Sequence, residues 1–155
     1  MGMQLYHGST EIVRQPEIRI SRFAKDFGAG FYCTLLKAQA VRWATRFGVG
    51  VVNSYEYTPS STLKVLRFIE MSEEWLDFIA DCRSGKSHDY DIVEGPMADD
   101  TIFNYVRSFL DGEISREAFW ALAKFKHPTH QICFHTEAAL TTIHFTGVEE
   151  CHATS

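Results

Sequence analysis

The sequence has no long apolar run, and no basic stretch followed by a hydrophobic segment opens it. A membrane-spanning helix needs about 18 to 20 consecutive apolar residues, and a secretory signal combines both of those parts. We therefore expect no membrane association and a cytoplasmic location.

Closely spaced cysteines are also missing. Cys33, Cys82, Cys133 and Cys151 are scattered singly along the chain. This spacing is typical neither of a disulfide framework nor of a zinc site, which needs ligands in close pairs. We expect a reducing compartment and no bound metal.

The sequence also lacks an excess of basic residues. Fifteen Lys and Arg stand against twenty Asp and Glu, for a net charge of -5. Binding to nucleic acid regardless of sequence needs clustered positive charge, so this class of protein is excluded. A nucleic-acid substrate held by a few local contacts stays open.

The 155 residues, 45% of them hydrophobic, have no repeat or linker, and we predict a single domain over 1–155. β-rich runs occur at 4–6, 30–34, 51–57, 63–68, 90–93, 131–135 and 142–145. Helical patterns occur at 37–47 and 72–82, and two more begin near Asp99 or Asp100 and at Ser115. Strands at both ends with helices between them predict an α+β domain whose sheet pairs distant segments.

The first candidate site motif ends the first strand and reads Leu5-Tyr6-His7-Gly8-Ser9. A glycine lets a ligand approach bare backbone, where N–H and C=O can pair with a planar carboxamide. On its own, a histidine before a turn glycine is more often structural.

The second motif brings two glycines to an aromatic pair, Gly28-Ala29-Gly30-Phe31-Tyr32, and Trp43 follows on a helix. An electron-poor ring such as nicotinamide binds well between two aromatic side chains. The alternative is that Tyr32 and Trp43 fill the core.

The third motif is a late strand headed by polar residues, Thr129-His130-Gln131. A polar side chain at a strand start can face a pocket, which makes Gln131 a candidate for binding a ligand hydroxyl. The alternative is a strand end that faces solvent.

Acidic residues gather around a Gly-Pro turn at 91–100. A capping and turn role is favoured, while Asp91, Glu94, Asp99 or Asp100 facing the cleft is the functional alternative. Asp26, before the glycine-rich turn, favours local hydrogen bonding.

Together the three motifs resemble the ADP-ribosyltransferase superfamily, in its diphtheria-toxin-like and poly(ADP-ribose) polymerase-like branch with a His-Tyr-Glu triad. His7-Gly8-Ser9 resembles the His-Gly-Ser/Thr element of that branch, and the second motif resembles its Gly-x-Gly-Ile-Tyr element. Trp43 falls where a second stacking tyrosine is usual, and Gln131 falls where the glutamate stands. The blocks 5–9, 26–32 and 130–134 are more closely similar to the bacterial family called domain of unknown function 3990, which is often similar in context to toxins of toxin–antitoxin pairs.

The resemblance implies a split β-sheet core with flanking helices and NAD as the substrate. His7 would bind the adenine-side ribose, the Gly8 backbone would hold the nicotinamide carboxamide, and Tyr32 and Trp43 would flank the ring. Ser9 and Gly30 belong to the same NAD-binding motifs. Ala40 falls where a serine hydroxyl is common in the branch, so one hydrogen bond of that pattern is missing.

The function implied is a mono-ADP-ribosyltransferase in which Gln131, His7 and Tyr32 take the triad positions. Gln131 can accept the bond from the ribose 2′-hydroxyl but cannot take a proton, which favours transfer of single units. The acceptor would be a protein or nucleic acid, and an antitoxin would be the partner. The alternatives are an NAD glycohydrolase and a non-catalytic module that binds NAD or ADP-ribose.

Overall fold

The structure, a computed structural model, describes residues 2–18, 27–97, 100–123 and 129–152. The strands in these ranges are β1 (Met3–Ser9), β2 (Phe31–Cys33), β3 (Val49–Tyr57), β4 (Val65–Arg67), β5 (Ile92–Met97), β6 (Thr129–Phe134) and β7 (Ile143–His152). The helices are α1 (Lys37–Thr45), α2 (Glu73–Arg83), α3 (Asp100–Leu110), α4 (Arg116–Ala123) and α5 (Glu137–Leu140).

The seven strands and the four longer helices overlap the segments that the sequence predicts. Two predicted capping serines are confirmed, because Ser72 Oγ accepts the Trp75 N–H at 3.2 Å and Ser115 Oγ accepts the Ala118 N–H at 3.0 Å. The sequence analysis does not predict α5, which at four residues is too short to show a helical period.

The strands form two sheets, as expected for a split α+β core. One has the order β1-β3-β7 and is antiparallel throughout. The other has the order β2-β6-β5-β4, in which only the described β4–β5 pair is parallel. Each sheet joins strands from both ends of the chain, which confirms the prediction of pairing between distant segments.

In the described ranges, one backbone pair connects the two sheets at the junction of β1 and β2. Tyr6 and Thr34 exchange both backbone hydrogen bonds at 2.9 Å. Beyond this pair, β1 continues along β3, while β2 continues along β6. The strands part at this point, and the candidate site residues lie next to it.

Two apolar clusters hold the layers together. The inter-sheet core takes side chains from both sheets and from α5: Leu5, Val13, Phe31, Cys33, Tyr55, Tyr57, Ile92, Ile132, Phe134, Ala139, Leu140 and Ile143. The helical core packs α2, α3 and α4 on the other face of the second sheet: Phe27, Trp75, Leu76, Ile79, Val93, Ile102, Val106, Phe119, Ala123 and Cys133. Because successive residues of a strand alternate between faces, Ile132 belongs to the first cluster and Cys133 to the second.

Helix α1 lies against the first sheet at van der Waals distance. Ala40 and Ala44 pack with Val52, and a methyl group at Gly8 or Gly50 would overlap carbonyl oxygens of α1. The small residues on both sides are therefore required by the close approach of helix and sheet.

None of the helices in the described ranges approaches the length and apolar character of a membrane span.

The close approach of α1 predicts an asymmetric response to added methyl groups. Gly50→Ala should lower the free energy of unfolding by about 1–3 kcal/mol, because the new Cβ would collide with the carbonyl of Ala44. Gly147→Ala is the matched control, since a Cβ there meets no atom within 4 Å. Urea unfolding of both variants measures the difference, and equal stability would contradict the packing described.

Candidate functional site

His7 stands on β1 beside the junction of the two sheets. Its Nδ1 atom lies 2.6 Å from the carbonyl oxygen of Tyr32, and its ring packs on Phe31 with the centroids 4.3 Å apart. A carbonyl oxygen only accepts, so Nδ1 carries a proton and donates it to Tyr32. The imidazole is thus held in position by the strand that carries Tyr32.

The backbone of Gly8 faces the opening between β1 and β2. Every second residue of an antiparallel strand directs its N–H and C=O to the same edge, and Tyr6 directs both to Thr34. Gly8 therefore directs its own N–H and C=O to that edge as well. A continued ladder would pair Gly8 with Tyr32, but His7 contacts the Tyr32 carbonyl instead.

Trp43 lies on the other side of Gly8. A methyl group at Gly8 would come within 2.9 Å of Trp43 Cβ, and the Trp43 side chain is half-buried. Ala40 presents its backbone carbonyl to the same glycine. The region of β1, β2 and α1 that contains His7, Gly8, Tyr32 and Trp43 is called the notch below.

The loop that precedes β2 is fixed through its carbonyl groups. Three consecutive carbonyl oxygens are contacted by different side chains: Phe27 by His88 Nε2 at 3.3 Å, Gly28 by the Tyr32 hydroxyl at 2.5 Å, and Ala29 by His135 Nδ1 at 2.8 Å. The Tyr32 hydroxyl also accepts the Phe27 N–H at 3.2 Å. These contacts set the position of the Tyr32 ring through its own loop.

Two residues of the predicted NAD-binding set have local structural roles. Ser9 Oγ accepts the N–H of Glu11 at 3.1 Å, which is a turn contact. Gly30 packs against β6, where a Cβ would lie 2.7 Å from the Phe134 carbonyl oxygen. The identity of both residues is explained by these contacts.

Gln131 is buried, with 3% of its surface exposed. Its Nε2 donates to the Pro96 carbonyl at 3.3 Å, and the Trp75 indole N–H donates to the same oxygen at 3.0 Å. The alternative of a strand end facing solvent is therefore wrong. Tyr32 pairs with Cys133, two residues along β6, so Tyr32 and Gln131 share one face of the second sheet.

The described acidic residues of 91–100 have different surroundings. Asp91 accepts from the Thr136 hydroxyl at 2.7 Å and from the Lys64 N–H at 2.8 Å, and these bonds hold the pKa of its carboxyl below the ordinary value. Asp26 and Asp99 lie outside the described residues, and the backbone of Asp100 begins α3.

Glu94 forms a charged cluster with two partners. Arg67 Nε lies 3.0 Å from its Oε1, and His130 Nε2 lies 2.8 Å from its Oε2. Burial raises the pKa of Glu94, but the bond from His130 and the charge of Arg67 outweigh burial and bring the pKa below its ordinary value. Glu94 pairs with Ile132 in the sheet, so its side chain leaves the face opposite to Gln131.

The structure thus brings His7 to the Tyr32 carbonyl and Gly8 to Trp43. The Tyr32 ring itself packs against the helical core. Gln131 is buried on the face of the second sheet from which Tyr32 also projects, and its amide is hydrogen-bonded to Pro96 of β5. The sequence analysis missed Arg67, His88 and His135 because each acts through a partner distant in sequence. His130 was quoted only as a neighbour of Gln131, although strand alternation places the two on opposite faces.

His135 makes the stability of the loop before β2 depend on pH. Burial lowers the pKa of His135 to about 4, against an opposing bond to the Ala29 carbonyl, and nearby His88 lowers it further. In the unfolded chain the group binds its proton near pH 6.5. The unfolded state therefore gains protons first, and stability falls as the pH drops from about 6.5 to about 4.

This dependence is tested with His135→Asn, which keeps an N–H donor for Ala29 but does not titrate near neutral pH. Between pH 7 and 4.5 the wild type should lose about 2 kcal/mol more unfolding free energy than this variant. Urea unfolding at both pH values measures the loss. His152→Asn, at an exposed position, is the control and should behave as the wild type; an unaltered pH profile in His135→Asn would contradict the assignment.

Comparison with known proteins gives one family. A family model described as "Protein of unknown function (DUF3990)" matches residues 3–145, which include every residue of the notch as well as Gln131. No curated protein matches the chain. Since the matched region covers most of the sequence, the chain belongs to the DUF3990 family.

Proposed function

We propose that the protein is an NAD-dependent mono-ADP-ribosyltransferase that binds NAD at the notch. The observation that supports this most is the Gly8 peptide, whose N–H and C=O face the open edge of β1 beside the His7 imidazole, with Trp43 against Gly8. A primary carboxamide has one acceptor and two donor hydrogens, and a peptide edge with both groups complements it. The motif resemblance to the ADP-ribosyltransferase superfamily leads to the same ligand.

In the proposed reaction, the bond between the ribose C1′ and nicotinamide breaks, and the bonding electrons leave with nicotinamide. The acceptor adds to C1′ and loses its proton. Within this scheme Gly8 binds the carboxamide, Tyr32 and Trp43 flank the ring, and His7 hydrogen-bonds a ribose hydroxyl. Catalysis then depends on holding the dinucleotide and stabilising positive charge at C1′.

Gln131 has the weakest role in this scheme. Its amide cannot act as a general base, and its Nε2 is already bonded to Pro96. Slow transfer of single ADP-ribose units is therefore expected. Ala40 contributes no hydroxyl at the notch, so the carboxamide is held mainly by Gly8.

The buried, bonded amide of Gln131 also favours a second candidate, a module that binds NAD or ADP-ribose without turnover. The notch residues would bind the same ligand in that case, and no charge would develop at C1′. An intracellular target, a toxin role and an antitoxin partner stay predictions from the resemblance.

The deciding experiment incubates the protein with adenylate-labelled NAD and whole-cell extract. Transferase activity places label on a macromolecule and releases nicotinamide in equal amount. Release of nicotinamide with free labelled ADP-ribose would identify a glycohydrolase, and tight binding of intact NAD would identify the module. If NAD neither binds nor reacts, the proposed function is wrong.

The role of His7 predicts a specific loss of affinity. His7→Ala removes one hydrogen bond to the ribose and should weaken NAD binding by roughly tenfold. Calorimetric titration with NAD measures the dissociation constant. His144→Ala is the control, because His144 is exposed on β7, away from the notch; equal affinities of the two variants would contradict the assignment.

Exchange of Gln131 for glutamate predicts opposite effects on stability and rate. In Gln131→Glu a carboxylate oxygen replaces the donor that faces the Pro96 carbonyl, so the free energy of unfolding should fall by about 1–3 kcal/mol. The added charge should raise NAD hydrolysis if this position faces C1′. Thermal unfolding and nicotinamide release measure the two effects, and an unchanged rate in folded protein would exclude Gln131 from the reaction.

A further inference from the structure

A cavity of about 850 Å³ opens at the end of the second sheet where β4 and β5 finish and β6 begins. Its volume is within the range of small-ligand sites. None of the four notch residues is part of its lining. It is therefore separate from the notch, and it has its own chemistry.

Among the described residues that line the cavity, the ionisable groups leave an excess of negative charge. Arg67 and Glu94 neutralise each other. His130 Nδ1 accepts the N–H of Leu35 at 3.1 Å, and its Nε2 donates to Glu94 at 2.8 Å. Glu70 is exposed in the same lining and has no ion-pair partner within the described part of the chain, which leaves one uncompensated carboxylate.

The remaining walls are apolar and aromatic. Phe68, Met71 and Trp120 face the cavity beside the Arg67–Glu94 pair. At its rim, Ile69 exposes 94% of its surface and adds an apolar contact surface next to the cavity. The walls suit a flat or aliphatic group that also carries positive charge.

We propose that this cavity binds an arginine side chain from a basic, partly apolar segment of a partner protein. A carboxylate offers about four lone-pair positions, and Glu94 uses one on each oxygen for Arg67 and His130, so it accepts further donors. Glu70 adds the second negative group. A guanidinium is planar and weakly hydrated, which allows stacking on Trp120 or Phe68 in a way that a lysine ammonium does not.

Charge complementarity supports this occupant over an anionic one. The chain has a net charge of -5, and a partner that is basic at the contact is attracted over its whole surface. An anionic ligand would meet Glu70 uncompensated. An apolar residue next to the arginine would cover Ile69, so we expect the segment to be partly apolar. The inference is independent of NAD chemistry, because it uses no residue of the notch.

The test uses the peptide acetyl-Val-Arg-Val-amide and its uncharged citrulline analogue as probes. The three indole N–H signals, from Trp43, Trp75 and Trp120, are followed by NMR during titration and assigned by single Trp→Phe substitutions. The arginine peptide should shift the Trp120 signal and leave the Trp43 signal unchanged. Glu70→Gln should weaken its binding by roughly tenfold, while Glu113→Gln, at an exposed loop position outside the cavity, should not.

Glu94→Gln is a second variant, which keeps a hydrogen-bonding side chain between Arg67 and His130. It should also weaken binding of the arginine peptide. The proposal is overturned if the citrulline peptide binds as tightly as the arginine peptide. It is also overturned if Glu70→Gln binds like the wild type, or if only Trp43 responds. NAD binding at the notch is measured separately by calorimetry, so failure of one proposal leaves the other unaffected.

Discussion

The backbone pairing of Tyr6 with Thr34 is the constraint on which the rest of the structure depends. Within the described residues, this is the one backbone pair between two sheets whose strands otherwise follow different partners, β3 on one side and β6 on the other. Because the ladder stops after one pair, the next outward-facing peptide on β1, that of Gly8, meets an opening. The same break brings the His7 imidazole to the Tyr32 carbonyl.

Tight packing surrounds this opening. Helix α1 contacts the sheet closely enough that Gly8 and Gly50 tolerate no side chain, and the loop before β2 is held by three side chains through three carbonyl oxygens. These contacts hold the Tyr32 ring and the His7 imidazole in place before any ligand arrives. Pre-organisation of this kind lowers the entropic cost of binding.

Much of the fold follows from sequence patterns, while the burial of Gln131 and the contacts between side chains of distant strands do not. Alternation and capping predict the strands and the helices at Ser72 and Ser115, because those signals are local. Burial of Gln131 depends on Pro96 and Trp75, which approach it only after the sheet and α2 have formed. The cluster of Arg67, Glu94 and His130 likewise joins three strands, so no sequence spacing indicates it.

The central claim is that a carboxamide binds the Gly8 peptide at the notch. Titration of the isotopically labelled protein with nicotinamide, followed through the Gly8 amide and Trp43 indole signals, tests it directly. The account predicts that both signals shift together while that of Trp120 stays in place. An unchanged Gly8 signal, or shifts confined to residues that line the cavity around Glu94, would contradict it.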